Sequence, residues 1–458
     1  MSYVIIGVTY KVGVYIISLN EVCISMDIKR HILKCLAACL LLSGVFSAGE
    51  AAVRLSLAES VERALALDPT IAAAEASAEA AAWQLSSARR SAGPKITWSS
   101  QALRLGGEDY ASTDRRFSNR LNLEIPLYTG GQIEGSVQQY RSQADAAALG
   151  VEGERQAVRF RAIEAYYDVL QRKNLLQVAE SAVRMASEQL HLLNIQFNEG
   201  TVARSDVLEM QVQMADYEQN LLSAQGALAV AETTLRSVLG LAEDAEIELI
   251  DAFTYEPYAW TLSDCIDYGL QNRPDRTAAD CRIKQAEAQK RVAESAARPR
   301  VAGVLSRTIA GDAPFGDDRS ENWQVGAELS WNVFDNQVTA ANVKAAEKAT
   351  AKFVADKKET ERTIRLDIQK AYRGMKTAEE KIHTTEKAVE QAKRNNVLAE
   401  VRYKEGVDIM LKVTDAQEKL VRARTNYYTA LYEYNLNKAA LERAMGVAAA
   451  PVPAVHAQ

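Results

Sequence analysis

The chain has 458 residues and a net charge of −6, with 48% of residues hydrophobic and 25% charged. That balance fits a folded protein, and the lack of a basic surplus argues against nucleic acid as a partner. After residue 50 no apolar run reaches the ~18–20 residues of a membrane-spanning helix, but β-strands cross a bilayer in about 9–11 alternating residues.

Residues 1–51 read as an upstream extension followed by an export signal. Lys29, Arg30 and Lys34 precede the apolar run from Cys35 to Phe46, and Gly49-Glu50-Ala51 offers a small-x-small cleavage site, placed here after Ala51. Met26 is the expected start. Val45 stands where a lipid-anchored protein would carry Cys, so no lipid anchor is expected.

The first unit spans 52–240. A short helix ends at Pro69 and a longer Ala-rich helix follows. Residues 94–128 read as a β-hairpin opened by Pro94. It has a weak strand near Ile96–Leu105, a polar loop over Gly106–Ser118, and a strand in which Leu121, Leu123, Ile125 and Leu127 alternate with Asn122 and Glu124. A helix from about Gln132 to Phe197 would be on the order of 100 Å long. Val169, Leu176, Val183, Leu190 and Phe197 recur along it every seven residues. After a turn at Gly200 the chain returns with Val207, Met214, Leu221, Leu228 and Leu235, which makes the pair an antiparallel coiled coil.

Residues 241–259 read as a linker, after which the unit recurs over 260–446. LSLAESVERALALDPT at 55–70 resembles WTLSDCIDYGLQNRPD at 260–275, Phe197–Gly200 resembles Tyr403–Gly406, and Leu239-Gly240 resembles Met445-Gly446. The offsets are 205, 206 and 206, and so constant a spacing marks a duplication. The second hairpin occupies 299–334, with a weak strand at Val301–Ile309 and a loop over Gly311–Ser320. In its second strand Trp323, Val325, Ala327, Leu329, Trp331 and Val333 alternate with Gln324, Glu328, Ser330 and Asn332. Met375, Ile382, Val389 and Tyr403, then Val413, Leu420, Tyr427, Tyr434 and Leu441, repeat the helical seam around a tip near 406. Residues 447–458 read as a disordered tail.

Apolar strand faces carrying Trp, opposite polar ones, are the pattern of a barrel with lipid outside and water inside. Four strands cannot close a barrel and open edges do not survive in lipid, so several chains must contribute; three would give twelve strands. The fold expected is mainly α, with duplicated long coiled-coil helices and one β-hairpin per repeat of a transmembrane barrel. Cys265 and Cys281 lie eight residues either side of Arg273, beside Pro274. Two helices folded back there would allow a disulfide in an oxidising compartment; two buried free thiols are the other reading.

Taken together, Leu65-Ala66-Leu67-Asp68-Pro69, the pairs Ala165-Tyr166 and Ala371-Tyr372, and the tips FNEGTVARSDVLEM and YKEGVDIMLKVTDAQ strongly resemble the TolC family of outer-membrane efflux proteins over about residues 54–446. The resemblance implies a homotrimer with a twelve-stranded barrel in outer-membrane lipid and a helical tunnel through the periplasm. It also implies a periplasmic adaptor docked at the tips (Gly200, Thr201, Val202, Gly406 and Val407) and an inner-membrane pump of RND or ABC type behind it. Asp206 and Tyr403 match a gate-closing pair in which the phenol donates to the carboxylate. Asp415 matches one member of an acidic entrance ring. Lys412 departs from that ring, and Asp408 stands where a latch-forming Arg is found, so Arg204 becomes the candidate for the missing cation. Read without the family, Asp206 could cap its helix and Tyr403 could serve packing alone.

The four His residues show no ligand spacing and no phosphate loop, dinucleotide fingerprint or nucleophile elbow occurs, so neither enzyme activity nor a metal or cofactor is expected. The function expected is a passive exit duct of a tripartite efflux or type I secretion system. The competing expectation is a non-transporting coiled-coil protein of the periplasm or cell surface, which would have no use for lipid-facing hairpins.

Overall fold

The computed structural model describes residues 53–104, 115–313 and 319–448. The expected signal, parts of both hairpin loops and the tail beyond Ala448 lie outside the described residues.

The first repeat runs β1 (Val53–Leu55), α1 (Leu57–Leu67), α2 (Pro69–Arg90), β2 (Lys95–Arg104), β3 (Arg115–Tyr128), α3 (Gln132–Asn198) and α4 (Arg204–Leu239). The second runs β4 (Ile247–Leu249), α5 (Leu262–Asn272), α6 (Pro274–Ser295), β5 (Arg300–Gly311), β6 (Arg319–Ser330), α7 (Val338–Lys404) and α8 (Met410–Met445). Corresponding helices have equal lengths: 11 residues for α1 and α5, 22 for α2 and α6, 67 for α3 and α7, and 36 for α4 and α8. Local chemistry sets these ends. Ser56 with Glu59, and Thr261 with Asp264, form capping boxes that satisfy the first free N–H groups of α1 and α5. Pro69 and Pro274 occupy first-turn positions where a missing N–H costs nothing.

The two repeats interleave. Along the strand-proximal part of the long helices the packing order is α2, α3, α6, α7; along the tip-proximal part it is α4, α3, α8, α7. One apolar cluster sits midway, where Cys265, Ile364, Ile368, Met375, Tyr434, Leu441 and Met445 join Phe253, Tyr255 and Tyr258. A second sits near the tips and draws on all four long helices: Ala186 and Leu193, Val207 and Met210, Ala399, and Met410 and Val413. The seam reading therefore describes the packing, with one exception: Phe197 is 40% exposed, because α3 ends one residue later and nothing covers its last turn.

The linker is more ordered than its sequence suggests. Its β4 pairs with β1, and residues 251–256 are strapped to the helices. Asp251 accepts from the Leu57 N–H (2.6 Å) and the Tyr166 hydroxyl (2.8 Å). Tyr434 donates to the Glu256 carbonyl, Asn435 to the Thr254 carbonyl, and Tyr255 to the Glu379 carboxylate. Val447 and Ala448, the first two residues of the expected tail, are likewise held, through Val447 N–H to the Glu442 carbonyl and Arg159 to the Ala448 carbonyl.

The four long strands form one antiparallel sheet in the order β2-β3-β5-β6, so β3 and β5 join the repeats and β2 and β6 are open edges. Its register gathers most of the apolar residues on one face, where Arg307 is ion-paired with Glu321. Trp98, Leu121, Arg307 and Trp323 form one row and Ile96, Leu123, Leu305 and Val325 the next. The other face carries Thr97, Asn122, Ser306 and Gln324, then Ser99, Arg120, Thr308 and Asn322. Strand limits differ from expectation in two ways. Arg115–Ser118, Gly311 and Arg319–Ser320 belong to strands rather than loops, since they continue the ladder. Conversely, β6 stops at Ser330, leaving Trp331 and Val333 outside it: the β5 ladder begins at Arg300, preceded by Pro299, which has no N–H, and the Trp331 indole donates to the Ala297 carbonyl instead. No described helix is long and apolar enough to cross a membrane.

The repeats exchange side-chain size at matching positions. A Cβ at Gly269 of α5 would run into Cδ1 of the fully buried Ile368 of α7. In the first repeat the equivalent pair is Ala64 and Ala162, both buried. Gly269→Ala should therefore destabilise the protein by about 1–3 kcal/mol through overpacking, and Ile368→Ala in the same chain should recover part of that loss by recreating the first repeat's pairing. Chemical denaturation followed by circular dichroism checks this; equal midpoints for the two variants would contradict it.

Candidate functional site

The two helical hairpins end in tips of matched construction. α3 closes at Gly200 (φ 77°) and α7 at Gly406 (φ 71°), a backbone geometry that glycine adopts without cost. The Thr201 N–H and hydroxyl both donate to the Gln196 carbonyl at 2.9 Å, and the Val407 N–H donates to the Arg402 carbonyl at 2.9 Å, so each helix end is satisfied by its own turn. Gly200, Thr201, Gly406 and Val407 are exposed and Val202 is half-buried. Val407, Ile409 and Leu411 present apolar surface beyond the second turn, each more than half exposed.

The sequence-predicted residues gather at these tips with different partners from those expected. The Tyr403 hydroxyl donates to Oε1 of Gln196 at 3.0 Å, not to Asp206. Burial first, and then the nearby Asp206 charge, raise its pKa above the ordinary phenol value, so the hydroxyl keeps its proton and remains a donor. Asp206 lies in the first turn of α4, where its charge suits the helix dipole; the N-cap itself is Ala203, and the Asp206 carboxylate accepts from Ser205 at 3.3 Å. Asp408 is not met by Arg204. It accepts from Nε of Arg402 at 2.6 Å across its own turn, the nearer cation taking the bond. Arg204 is exposed and makes no ion pair among the described residues. Asp415 accepts from Lys419 at 2.9 Å one turn along α8; that bond, with Lys412 adding a further positive charge, holds its carboxyl below the usual range. Lys412 is thus brought close to Asp415, though it forms no ion pair with it among the described residues.

Gln196 and Arg402 escaped the sequence reading. Each precedes a motif residue by one position on the hairpin, and only the two helices side by side show that Gln196 reaches Tyr403. Arg402 was nearer to legible, since it stands six residues before Asp408 across a Gly turn.

Cys265 and Cys281 are free and buried, which corrects the disulfide expectation. α5 and α6 do not fold back on one another. α5 packs on α7 and α8, and α6 on α3 and α7, so the thiols enter different layers. Burial raises both thiol pKa values and leaves little reactive thiolate. Native protein should therefore resist alkylation while unfolded protein takes two labels, read by intact mass without reductant; a mass two units low with no labels would restore the bridge.

Among the described residues no group of three or more His, Cys, Asp or Glu is placed to hold a metal ion.

Comparison with known proteins agrees with this architecture. A family model described as "Outer membrane efflux protein" matches residues 60–241 and again 266–447. The outer membrane protein TolC of Vibrio cholerae is 23% identical over 412 residues, covering 85% of this chain and 90% of its own length. The alkaline protease secretion protein AprF of Pseudomonas aeruginosa is 23% identical over 412 residues, covering 84% of this chain and 83% of its own. Among solved structures, CusC superposes with a TM-score of 0.76 at 17% identity, covering 88% of this chain and 95% of that one. The outer membrane protein VceC from Vibrio cholerae superposes with a TM-score of 0.73 at 20% identity, covering 85% and 96%.

Proposed function

Since the chain belongs to the outer membrane efflux protein family, we propose that three copies form the passive exit duct of a tripartite efflux or type I secretion system, opened at its periplasmic tips when an adaptor and an inner-membrane pump dock. The observation that carries this reading is the four-stranded sheet, apolar on one face and polar on the other, with both edges unpaired. In hydrocarbon an unpaired backbone edge is costly, and barrel closure by further copies removes it. Trp98 and Trp323, each 70% exposed, share one row of the apolar face, where an aromatic girdle would sit. That row lies midway along the strands, and Tyr128 and Trp331 lie at their helix-proximal end.

In this reading the helices form the periplasmic tunnel and the tips its gate. The exposed tip residues Gly200, Thr201, Gly406 and Val407, with Val202 beside them, meet the adaptor. The contacts Tyr403–Gln196 and Arg402–Asp408 hold each tip in its closed form, while Asp206, Arg204, Lys412 and Asp415 set the charge at the entrance. The chain contributes no energy source of its own; transport is driven by the pump.

Planar-bilayer recording tests the duct and its gate together. The wild-type protein should give a low, steady conductance. Tyr403→Phe combined with Arg402→Ala removes one contact within the second tip and one between the tips, and should raise conductance several-fold. A protein that inserts no channel would defeat the duct reading, and an unchanged conductance in the double variant would reject these contacts as gate bonds.

A further inference from the structure

The two apolar clusters treat their buried polar groups differently. In the midway cluster Tyr434 donates to the Glu256 carbonyl, Asn435 to the Thr254 and Leu431 carbonyls, and Tyr255 to the Glu379 carboxylate. No buried side-chain oxygen or nitrogen of that cluster lacks a partner. Near the tips each of the four long helices contributes one buried polar side chain: Gln189 on α3, Tyr217 on α4, Asn396 on α7 and Gln417 on α8, none more than 8% exposed. Tyr217 belongs to the tip-side cluster, Gln417 follows its Ala416, and Asn396 lies three residues before its Ala399. The contacts Gln189–Met410 and Ser181–Arg424 bracket Gln417, one on either side of it along α8.

Three of these four side chains have an atom with no hydrogen-bond partner: Tyr217 Oη, Asn396 Oδ1 and Gln417 Oε1. Gln213 lies beside the Tyr217 hydroxyl on α4 without the geometry of a bond. Gln189 reaches only the Met410 sulfur, a weak acceptor, at 3.3 Å. Among the described residues one further buried atom of this kind occurs, Ser60 Oγ on α1, away from the tips. The sequence marks the same place: Asn396 takes the α7 seam position that Leu190 fills on α3, after Met375, Ile382 and Val389. A buried Asn in a coiled-coil seam often fixes register at a cost in stability. Asn396 bonds only to Glu400 of its own helix (2.7 Å), and Tyr217 and Gln417 have no polar partner across the seam, so none of the three fixes a register.

We infer that these groups form a polar layer that biases the tip-side bundle toward release, being unpaired while the four helices pack as here and hydrated once they part. A buried polar atom without a partner has lost its bonds to water and regains them on exposure, so it favours the parted helices. The distance to water is short. Asp216 and Glu218 flank Tyr217, Asn395 and Val397 flank Asn396, and Glu418 follows Gln417, all exposed. Neighbouring residues stand about 100° apart around a helix, so a rotation well short of half a turn brings each group to the surface. The contacts Tyr403–Gln196 and Arg402–Asp408 then act as a catch on a bundle already biased, and the midway cluster, with its polar groups bonded, stays as the fixed end. This rests on the duct reading and deepens it, since part of the free energy of opening then resides in the chain and the docked partner need supply only the rest.

Two substitutions remove unpaired groups without breaking a hydrogen bond: Tyr217→Phe deletes a hydroxyl, and Gln417→Met puts a thioether of similar length in place of the amide. Amide hydrogen exchange of the assembled protein in detergent, read by mass spectrometry, measures the local effect. With both substitutions, peptides within 182–217 and 396–417 should exchange about five-fold more slowly, while those within 364–382 and 430–445 stay unchanged. No slowing, or equal slowing in both regions, overturns the layer. In planar bilayers the same pair, added to Tyr403→Phe with Arg402→Ala, should remove about half or more of the conductance gained by opening the catch. A fourfold variant that conducts as the Tyr403→Phe, Arg402→Ala protein does overturns the layer's part in opening and leaves the duct reading standing. Absence of any channel from the wild-type protein overturns the duct reading and the layer's part in opening with it.

Discussion

A sheet with one oily face and two open edges is the constraint on which the rest depends. Each edge presents a row of N–H and C=O groups that hydrocarbon cannot satisfy. The sheet of one chain is already a junction, since β3 and β5 bring together hairpins that lie 205 residues apart in sequence. That junction can hold only if the helices below keep the two repeats in register. They do so by interleaving, with α3 of one repeat between α2 and α6, and then between α4 and α8. A 67-residue helix in a folded protein owes most of its stability to packing, and these neighbours supply it by burying its apolar stripe.

The midway strap serves the same end. Asp251, Thr254, Tyr255 and Glu256 tie the linker to Tyr166 of the first repeat and to Glu379, Tyr434 and Asn435 of the second. Tyrosine suits this task because its ring packs into the apolar cluster while its hydroxyl satisfies a backbone or carboxylate oxygen. At Tyr166 burial dominates, and together with the Asp251 charge it keeps the phenol protonated far above neutral pH, so its hydroxyl remains a donor to Asp251.

Much of this was legible in the sequence because it is periodic. Alternation announced the strands, the seven-residue recurrence announced the hairpins, and the constant offset announced the duplication. What escaped depends on partners distant along the chain. Strand ends shifted because pairing, not composition, decides where a ladder stops, as at Trp331. The sequence could not choose between a disulfide and two buried thiols because the Arg273–Pro274 junction redirects α6 onto α3 without folding it back on α5, which only the packing shows. At the tips Asp206, Tyr403, Asp408 and Asp415 were named by resemblance to the family, which does not fix their partners in this chain. In the structure Tyr403 bonds to Gln196, Asp408 to Arg402 and Asp415 to Lys419.

Where the chain contacts itself near the tips, the interface is sealed by Leu193, Met210, Met410 and Val413, all buried. The positions that match Ser181–Arg424 and Gln189–Met410 carry Lys387, Glu218, Asn395 and Arg204 instead, so the corresponding surface is charged and exposed. Apolar contact of the first kind loses stabilisation steadily as it is peeled from its partner, whereas exposed ion pairs contribute little and are easily exchanged for water. Within one chain the two tips are therefore joined both by this buried apolar contact and by the Tyr403–Gln196 hydrogen bond.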